Sequence, residues 1–419
     1  MFRHQLAAYS PITPAAIARA CLAAARLAPD QRPALRRLLL TDYAAQSAIL
    51  CGSGTQALQL AITLASRAFG ADATVALPAF SCFDVGSAAV GAGVPVALYD
   101  LDAESLSPDL ASLERVLSGG ARVIVVSPLF GLPIDWGGLV ALAERFGAVV
   151  VEDAAQGHGA RWDGRRLGTL APISTLSFGR GKGWTGGHGG AVLLRGPVTG
   201  EPVLSAEPAG ELSVAVALIA QWLLGRPSVY GIPRSIDWLG LGATRYRSPR
   251  EPVLMSRAAA AAVLANRPGS LAEASVRRDN AEEMSASQTG GSASRLPQQP
   301  PIAEPGYLRF PVRLSKALVG SEELLQRLSK IGVERAYPST LGELGPVRDR
   351  LVGPEREWPG AESLAKTLVT LPTHSLVRLS ERNAALRLIE PKGLPSAPSD
   401  SNAGVGRQVD VLSMVSKRR

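Results

Sequence analysis

Ala148-Val149-Val150-Val151-Glu152-Asp153-Ala154-Ala155-Gln156 is a short apolar run that ends in two acids. Three successive valines without polar alternation read as a strand buried on both faces. Such strands belong to parallel sheets covered by helices, so similar strands should flank this one, with helical segments between. They do. Residues 48–51, 74–77, 95–99, 122–127 and 191–194 are further strand candidates, and 55–67, 109–117 and 136–145 carry helical patterns. The alternation predicts βαβ units, an α/β fold and a mainly parallel sheet. In such sheets ligands bind beyond the carboxyl ends of the strands, which should gather segments 51–55, 153–159 and 177–190 at one place.

The chain has 419 residues, 46% of them hydrophobic and 19% charged, which describes a globular enzyme with more than one core. Its net charge of +8 comes from scattered arginines, without the basic stripe of a nucleic-acid binder. Three cysteines (Cys21, Cys51, Cys82) have no metal-ligand spacing, so no metal is expected and a reducing cytoplasm is. The first residues lack the apolar stretch of a signal peptide. Residues 212–224 (LSVAVALIAQWLL) are too short to span a bilayer and read as a buried helix in preference to a membrane-docking one. Residues 254–267 and 270–284 read as two helices, and 285–305 as a flexible linker. Beyond it, strand patterns at 307–314 and 368–371 and a helix at 322–331 suggest a small α+β unit. The expected division is a large domain over 1–250, a small one over 251–391 and a disordered tail over 392–419.

Only six of the 44 lysines and arginines are lysine, and Lys182 is the only one before residue 316. It sits in Ser177-Phe178-Gly179-Arg180-Gly181-Lys182-Gly183-Trp184-Thr185-Gly186-Gly187. Lysine, unlike arginine, can shed its proton and form a Schiff base. Cys51-Gly52-Ser53-Gly54-Thr55 is a strand–turn–helix joint whose N–H and hydroxyl groups suit a phosphate. Asp153 at a strand tip suits a protonated ring nitrogen, although taken alone a helix cap is the better reading. Together these meet the needs of pyridoxal phosphate: a lysine for the aldehyde, a carboxylate for the ring nitrogen and donors for the phosphate. A Walker-type loop is excluded, because no GxxxxGK[ST] pattern is present.

These blocks resemble the DegT/DnrJ/EryC1/StrS family of fold-type I pyridoxal-phosphate enzymes, mostly sugar-nucleotide aminotransferases. The similarity runs from SGTQAL (53–58) through VEDAAQGHGARWDGRRLGTL (151–170) and STLSFGRGKGWTGGHGGAV (174–192) to RRDNAEEM (277–284) and LVTLPTH (368–374). It implies a large domain with a mainly parallel seven-stranded sheet and a small α+β carboxyl-terminal domain. It implies that Lys182 binds the cofactor aldehyde, that Asp153 pairs with the ring nitrogen and that Gln156 lies near the 3-oxygen. Gly54, Thr55 and Ser177 would hold the phosphate. It also implies a homodimer with active sites at the interface, a keto-sugar nucleotide as acceptor and glutamate as donor.

Several positions depart from the family pattern. The aromatic residue that stacks on the ring aligns with Cys82, next to Phe83, which is the candidate to replace it. A glutamate becomes His188, and an asparagine that reaches the neighbour's phosphate becomes Arg245 in Gly242-Ala243-Thr244-Arg245-Tyr246-Arg247. Arg180, His158 and His188 are candidate substrate-side residues, and His374 reads as structural. A sugar dehydratase and a non-catalytic pyridoxal-phosphate-binding regulator are the alternative functions.

Overall fold

Val149, Val150 and Val151 are the first three residues of a central strand, as their unbroken β-branched run requires. The computed structural model describes residues 4–70, 72–196, 202, 204–205, 210–234, 244–287, 297–315, 318–353 and 356–389. Its first strands are β1 (Ser47–Cys51), β2 (Val75–Pro78), β3 (Val96–Tyr99), β4 (Val123–Val126) and β5 (Val149–Asp153). The short β6 (Arg161–Trp162) and β7 (Arg165–Arg166) follow, then β8 (Ile173–Ser177) and β9 (Gly190–Leu194). Seven of them make the main sheet in the order β1-β9-β8-β5-β4-β2-β3. Only β9 is reversed, being antiparallel to both of its neighbours. That reversal positions the site. Gly190 pairs with both Cys51 and Ser177, so the turn after β1, the loop after β8 and the start of β9 meet at one point.

Helices α1 (Pro14–Ala24), α2 (Arg32–Asp42), α3 (Gly54–Ser66), α4 (Phe83–Ala92), α5 (Leu110–Ser118) and α6 (Trp136–Phe146) precede α7 (Gly210–Leu224), α8 (Pro227–Arg234) and α9 (Arg257–Ser287). Residues of α3 to α6 bury one sheet face in the largest core, while α1, α2, α7 and the first half of α9 close a second core on the other. The sheet is therefore covered on both faces, as an all-apolar strand like β5 demands. The chain ends with β10 (Ala303–Glu304), β11 (Phe310–Arg313), α10 (Glu322–Lys330), β12 (Glu334–Arg335), α11 (Gly345–Arg348), α12 (Pro359–Thr367), β13 (Leu368–Leu371) and α13 (Leu379–Ile389). Strands β11, β13 and β12 form a small antiparallel sheet over a third core, which Ala281 and Met284 of α9 join.

Four expectations need correction. The two helices expected at 254–267 and 270–284 are one, because α9 runs through Pro268. Pro268 faces solvent, while Asn266 and Ser270 beside it are buried in tertiary contacts that hold the helix together. The strand expected from residue 307 begins at Phe310, since Tyr307 has a left-handed backbone (φ 43°) that cannot start a ladder. Helix α7 is buried on one face only: Val214, Ala215 and Leu218 point inward, whereas Leu212, Val216, Ile219 and Leu223 are exposed. The linker expected over 285–305 is helical at its start, where α9 continues to Ser287, and holds β10 near its end, while residues 288–296 and the tail from 392 lie outside the described residues. Among the described residues, no helix is long and apolar enough to cross a membrane.

Candidate active site

The turn after β1 places Ser53 as the cap of α3, its hydroxyl accepting from Gln56 N at 3.2 Å. Gly54 follows because nothing larger fits: a Cβ there would stand 2.5 Å from the Cβ and Oγ of Ser177. The N-terminus of α3, the Thr55 hydroxyl and the Ser177 hydroxyl thus converge, an arrangement suited to an anion. At the end of β5, Asp153 accepts hydrogen bonds from Ala155 N (3.2 Å), Thr175 Oγ1 (3.3 Å) and Ser127 Oγ (3.2 Å). Burial pushes its carboxyl above the usual carboxylate range, opposed first by the charge of Lys182 and then by these donors. Gln156 is fixed at both ends of its amide, accepting from Phe130 N and donating to Tyr337 Oη, each at 3.0 Å.

Lys182 sits on a loop whose folding is over-determined. Thr185 Oγ1 donates to the carbonyls of Phe178 and Gly179 and accepts from Gly187 N. Trp184 Nε1 donates to Val263 O (2.7 Å), and Asn266 Nδ2 donates to Thr185 O (3.0 Å), so α9 anchors the loop. The Ser10 hydroxyl donates to the Lys182 carbonyl. Gly187 and Gly189 have φ of 81° and 108°, which L side chains rarely adopt, and this explains the glycines on either side of His188.

These groups line a cleft of about 520 Å³ that contains Gly54, Thr55, Asp153, Gln156, Ser177, Arg180, Lys182 and His188. A depression of about 710 Å³ adjoins it and shares Ser53, Thr55, Asp84, His188 and Arg247. Phe83 is a correction. Helix α4 starts at Phe83 and turns its ring into the main core, leaving the Cys82 thiol, pushed up to about 12 chiefly by burial, at the cleft. His158 is not brought into the cleft. It lies behind the lysine loop, 5.9 Å from the Trp184 ring, with its Nε2 3.3 Å from Ser270 O. Burial, and then Arg277, hold its imidazole down at about 3, so it stays neutral. Arg245 is exposed and does not line the cleft of this chain. Two residues on, Arg247 does, and sequence reasoning gave it no role although the same run contains it. Arg277 was missed as well. It is fully buried, with no hydrogen-bond partner for its three guanidinium nitrogens among the described residues, and its Nη2 would stand 3.0 Å from a Cβ on Gly183.

The profile of the DegT/DnrJ/EryC1/StrS aminotransferase family matches residues 36–210. A dTDP-3-amino-3,4,6-trideoxy-alpha-D-glucose transaminase of Streptomyces venezuelae is 30% identical over 355 residues, covering 84% of this chain and 82% of that protein. The chain belongs to this family. A 3-amino-5-hydroxybenzoate synthase of Amycolatopsis mediterranei is 32% identical over 169 residues, 40% of this chain. That match spans only 43% of the synthase, and a match to an L-glutamine:2-deoxy-scyllo-inosose aminotransferase of Streptomyces fradiae spans 33% of that protein. An aminotransferase structure from Streptoalloteichus hindustanus superposes with a TM-score of 0.70 at 20% identity, covering 92% of this chain and 98% of the other, and so shares the fold. The cofactor of this DegT-type chain is pyridoxal 5′-phosphate. Its residues fit that group: a lysine and a buried carboxylate face one cleft, and the room Gly54 leaves beside Ser177 suits the phosphate.

Proposed function

We propose that this protein is an aminotransferase that converts the ketone of a sugar nucleotide into an amine, in the cytoplasm and as a homodimer. The observation that carries the reading is the convergence of Lys182, Asp153 and the phosphate-suited end of α3 in one cleft. Bound there, pyridoxal phosphate supplies an aldehyde that captures amines and a ring that accepts the electrons released at the substrate carbon. Lys182 Nζ would hold the aldehyde, and as an amine it would move the proton at the substrate carbon. Asp153 keeps a proton on the ring nitrogen, and its own ionised form is supported by the Ser127, Thr175 and Ala155 donors. Gln156, held at both ends, would lie near the 3-oxygen of the ring. Gly54, Thr55 and Ser177 would bind the phosphate, joined by Arg245 of the partner subunit, since arginine binds phosphate bidentately.

A sugar-nucleotide acceptor is supported by the Streptomyces venezuelae relative, whose match extends over most of this chain. The cleft also carries polar side chains on every side, as a polyhydroxylated acceptor requires. An amino acid supplies the nitrogen, and glutamate is the donor that the family resemblance suggests. The protein loaded with pyridoxal phosphate should absorb near about 420 nm, and Lys182→Ala should lose that band. A Lys182→Ala protein that keeps the band would refute the assignment of the lysine. A screen of keto-sugar nucleotides, followed by amine formation, tests the acceptor.

A further inference from the structure

Helix α7 carries the most apolar stretch of the described surface. A single exposed leucine is ordinary, but five of the thirteen large hydrophobic residues exposed among the described residues lie on its 15 positions: Leu212, Val216, Ile219, Leu223 and Leu224. Val214, Ala215 and Leu218 are buried, where α7 packs on α1 and α9. Leu212, Val216, Ile219 and Leu223 are four, three and four residues apart, which sets them in one stripe along the outer side of the helix. Their exposure runs from 37% at Ile219 to 71% at Leu212, so nothing in the single chain covers the stripe.

The charges at the two ends of α7 discriminate between possible covers. Near its start, Glu211 caps α9 by accepting from Arg257 N (2.8 Å) and Ala258 N (2.9 Å). Just past its end, Arg226 is exposed, its guanidinium 4.6 Å from the centre of the Trp222 ring, and it has no ion pair among the described residues. A helix that lies on an anionic bilayer carries a row of lysines and arginines. Helix α7 has none, and its one charged residue is an acid. A second, antiparallel copy of α7 fits better, because the stripe is its own complement. Reversed about a two-fold axis, Leu212 meets the partner's Leu223 and Val216 meets the partner's Ile219. The same reversal brings the partner's Glu211 towards the end followed by Arg226 and opposes the two helix dipoles. A parallel pair would instead bring Arg226 next to the partner's Arg226.

We infer that two copies of this chain pair through the exposed stripe of α7, antiparallel about a two-fold axis. The inference rests on the homodimer proposed above and names the surface that joins the copies. It also gives each active site its second chain. Gly210, Ser213 and Val214, at the start of α7, line the depression that holds Arg247 and Arg250. Ala217, Ala220 and Gln221, towards its end, line the cofactor cleft with Arg180 and Lys182. Antiparallel pairing exchanges the two ends, so the 244–250 segment of each copy arrives beside the cofactor cleft of the other. The interface is then apolar along its middle and polar towards the two clefts, the arrangement of centre and rim that stable interfaces share.

Disulfide trapping and sedimentation of the full-length, cofactor-loaded protein test the pairing. In a Cys21→Ser, Cys82→Ser background, Leu212→Cys and Leu223→Cys are prepared separately and then unfolded and refolded together. Opposed in the antiparallel pair, these two positions come within the roughly 7 Å between Cα atoms that a disulfide can span. Two thiols of the same variant lie about 16 Å apart along the axis, at about 1.5 Å of rise per residue. The mixture should therefore cross-link, and neither variant should do so alone. Ile219→Glu buries a carboxylate from each copy and should weaken assembly about 100-fold or more, whereas Ile219→Leu should leave it intact. Because Ile219 is exposed in the single chain, neither change disturbs its folding. No cross-link in the mixture, a cross-link in Leu223→Cys alone, or an assembly that Ile219→Glu leaves intact would each overturn the inference, and the homodimer would then join through another face. Binding to phosphatidylglycerol vesicles that Ile219→Glu abolishes, without any change in sedimentation, would overturn it in favour of a lipid surface. A wild-type protein that sediments as a monomer would remove the homodimer as well, while the Lys182-dependent band decides the cofactor reading separately.

Discussion

Glu152 and Asp153 are adjacent acids with unrelated tasks, because neighbouring strand residues face opposite sides of the sheet. Glu152 is fully buried and accepts from Gly168 N (2.5 Å), Leu170 N (3.0 Å) and Ser174 Oγ (3.1 Å), tying the 161–170 segment to the sheet. Asp153 faces the cleft. Replacing it with asparagine keeps the shape and removes the charge. Asp153→Asn should retain the band near about 420 nm and slow the single-turnover amine transfer by about 100-fold or more. Sequence reasoning reached Asp153 and Lys182 because their residue types carry the chemistry directly. It could not place Phe83, whose direction depends on where α4 begins, nor Arg277, whose burial depends on packing of distant segments. His374 shows the same dependence. It packs under Leu6, and burial, opposed by the hydrogen bond to that carbonyl and helped by the charge of Arg277, leaves its imidazole down at about 4. A folded value below the unfolded one near about 6.5 means that the unfolded chain binds the proton more readily. Stability from this residue is therefore present at neutral pH and lost as pH falls through the interval between the two values, by about 2 kcal/mol at about pH 5. Denaturant titrations at neutral and acidic pH should show this loss in the wild type and a smaller one in His374→Gln, whose amide can still reach Leu6 O.

Elements were legible where a pattern was strong and local. The valine-rich β4 and β5 announce themselves, and so does the alternation that implies a parallel sheet. Strand β8 (Ile173-Ser174-Thr175-Leu176-Ser177) was not expected, since its small polar residues are buried by the sheet instead of by their own hydropathy. Helix α4 was missed for a similar reason, because Gly86, Ser87 and Gly91 lower the helix propensity of Phe83-Asp84-Val85-Gly86-Ser87-Ala88-Ala89-Val90-Gly91-Ala92, and its burial over most positions leaves little polar face to read. Helix α9 went the other way: Pro268 argues for a break, and tertiary contacts override it. The most important of those contacts is Asn266. Its Oδ1 accepts from Thr13 N (3.1 Å) at the cap of α1, and its Nδ2 donates to Thr185 O on the lysine loop (3.0 Å). Asn266→Ala would leave both backbone groups unpaired in a buried setting and should cost about 2–3 kcal/mol in denaturant unfolding. Because one of those groups belongs to the loop, the same variant should also release pyridoxal phosphate more readily on dialysis. A stability loss with cofactor retention unchanged would show that α9 supports the core but not the loop.

At the scale of the whole molecule, the sheet order brings the ends of β1, β8 and β5 to one edge of the fold, and the cleft there stays open on the side of the 244–250 segment. Arg247 lines that cleft within the chain, whereas Arg245, two residues earlier and likewise exposed, does not. Our reading gives Arg245 to the phosphate of a second copy, and symmetry makes that claim testable without any further structure. In a two-fold dimer each active site would contain its own Lys182 and Arg245 of the partner subunit. Lys182→Ala should be inactive, and Arg245→Ala should lose most activity at limiting pyridoxal phosphate. Unfolding and refolding equal amounts of the two variants together produces mixed dimers in about half of the population. Each mixed dimer has one site with both defects and one with neither, so the mixture should recover about a quarter of wild-type activity. Were Arg245 to serve its own chain, no mixed dimer would contain an intact site, and the mixture would show only the average of its two inactive parents.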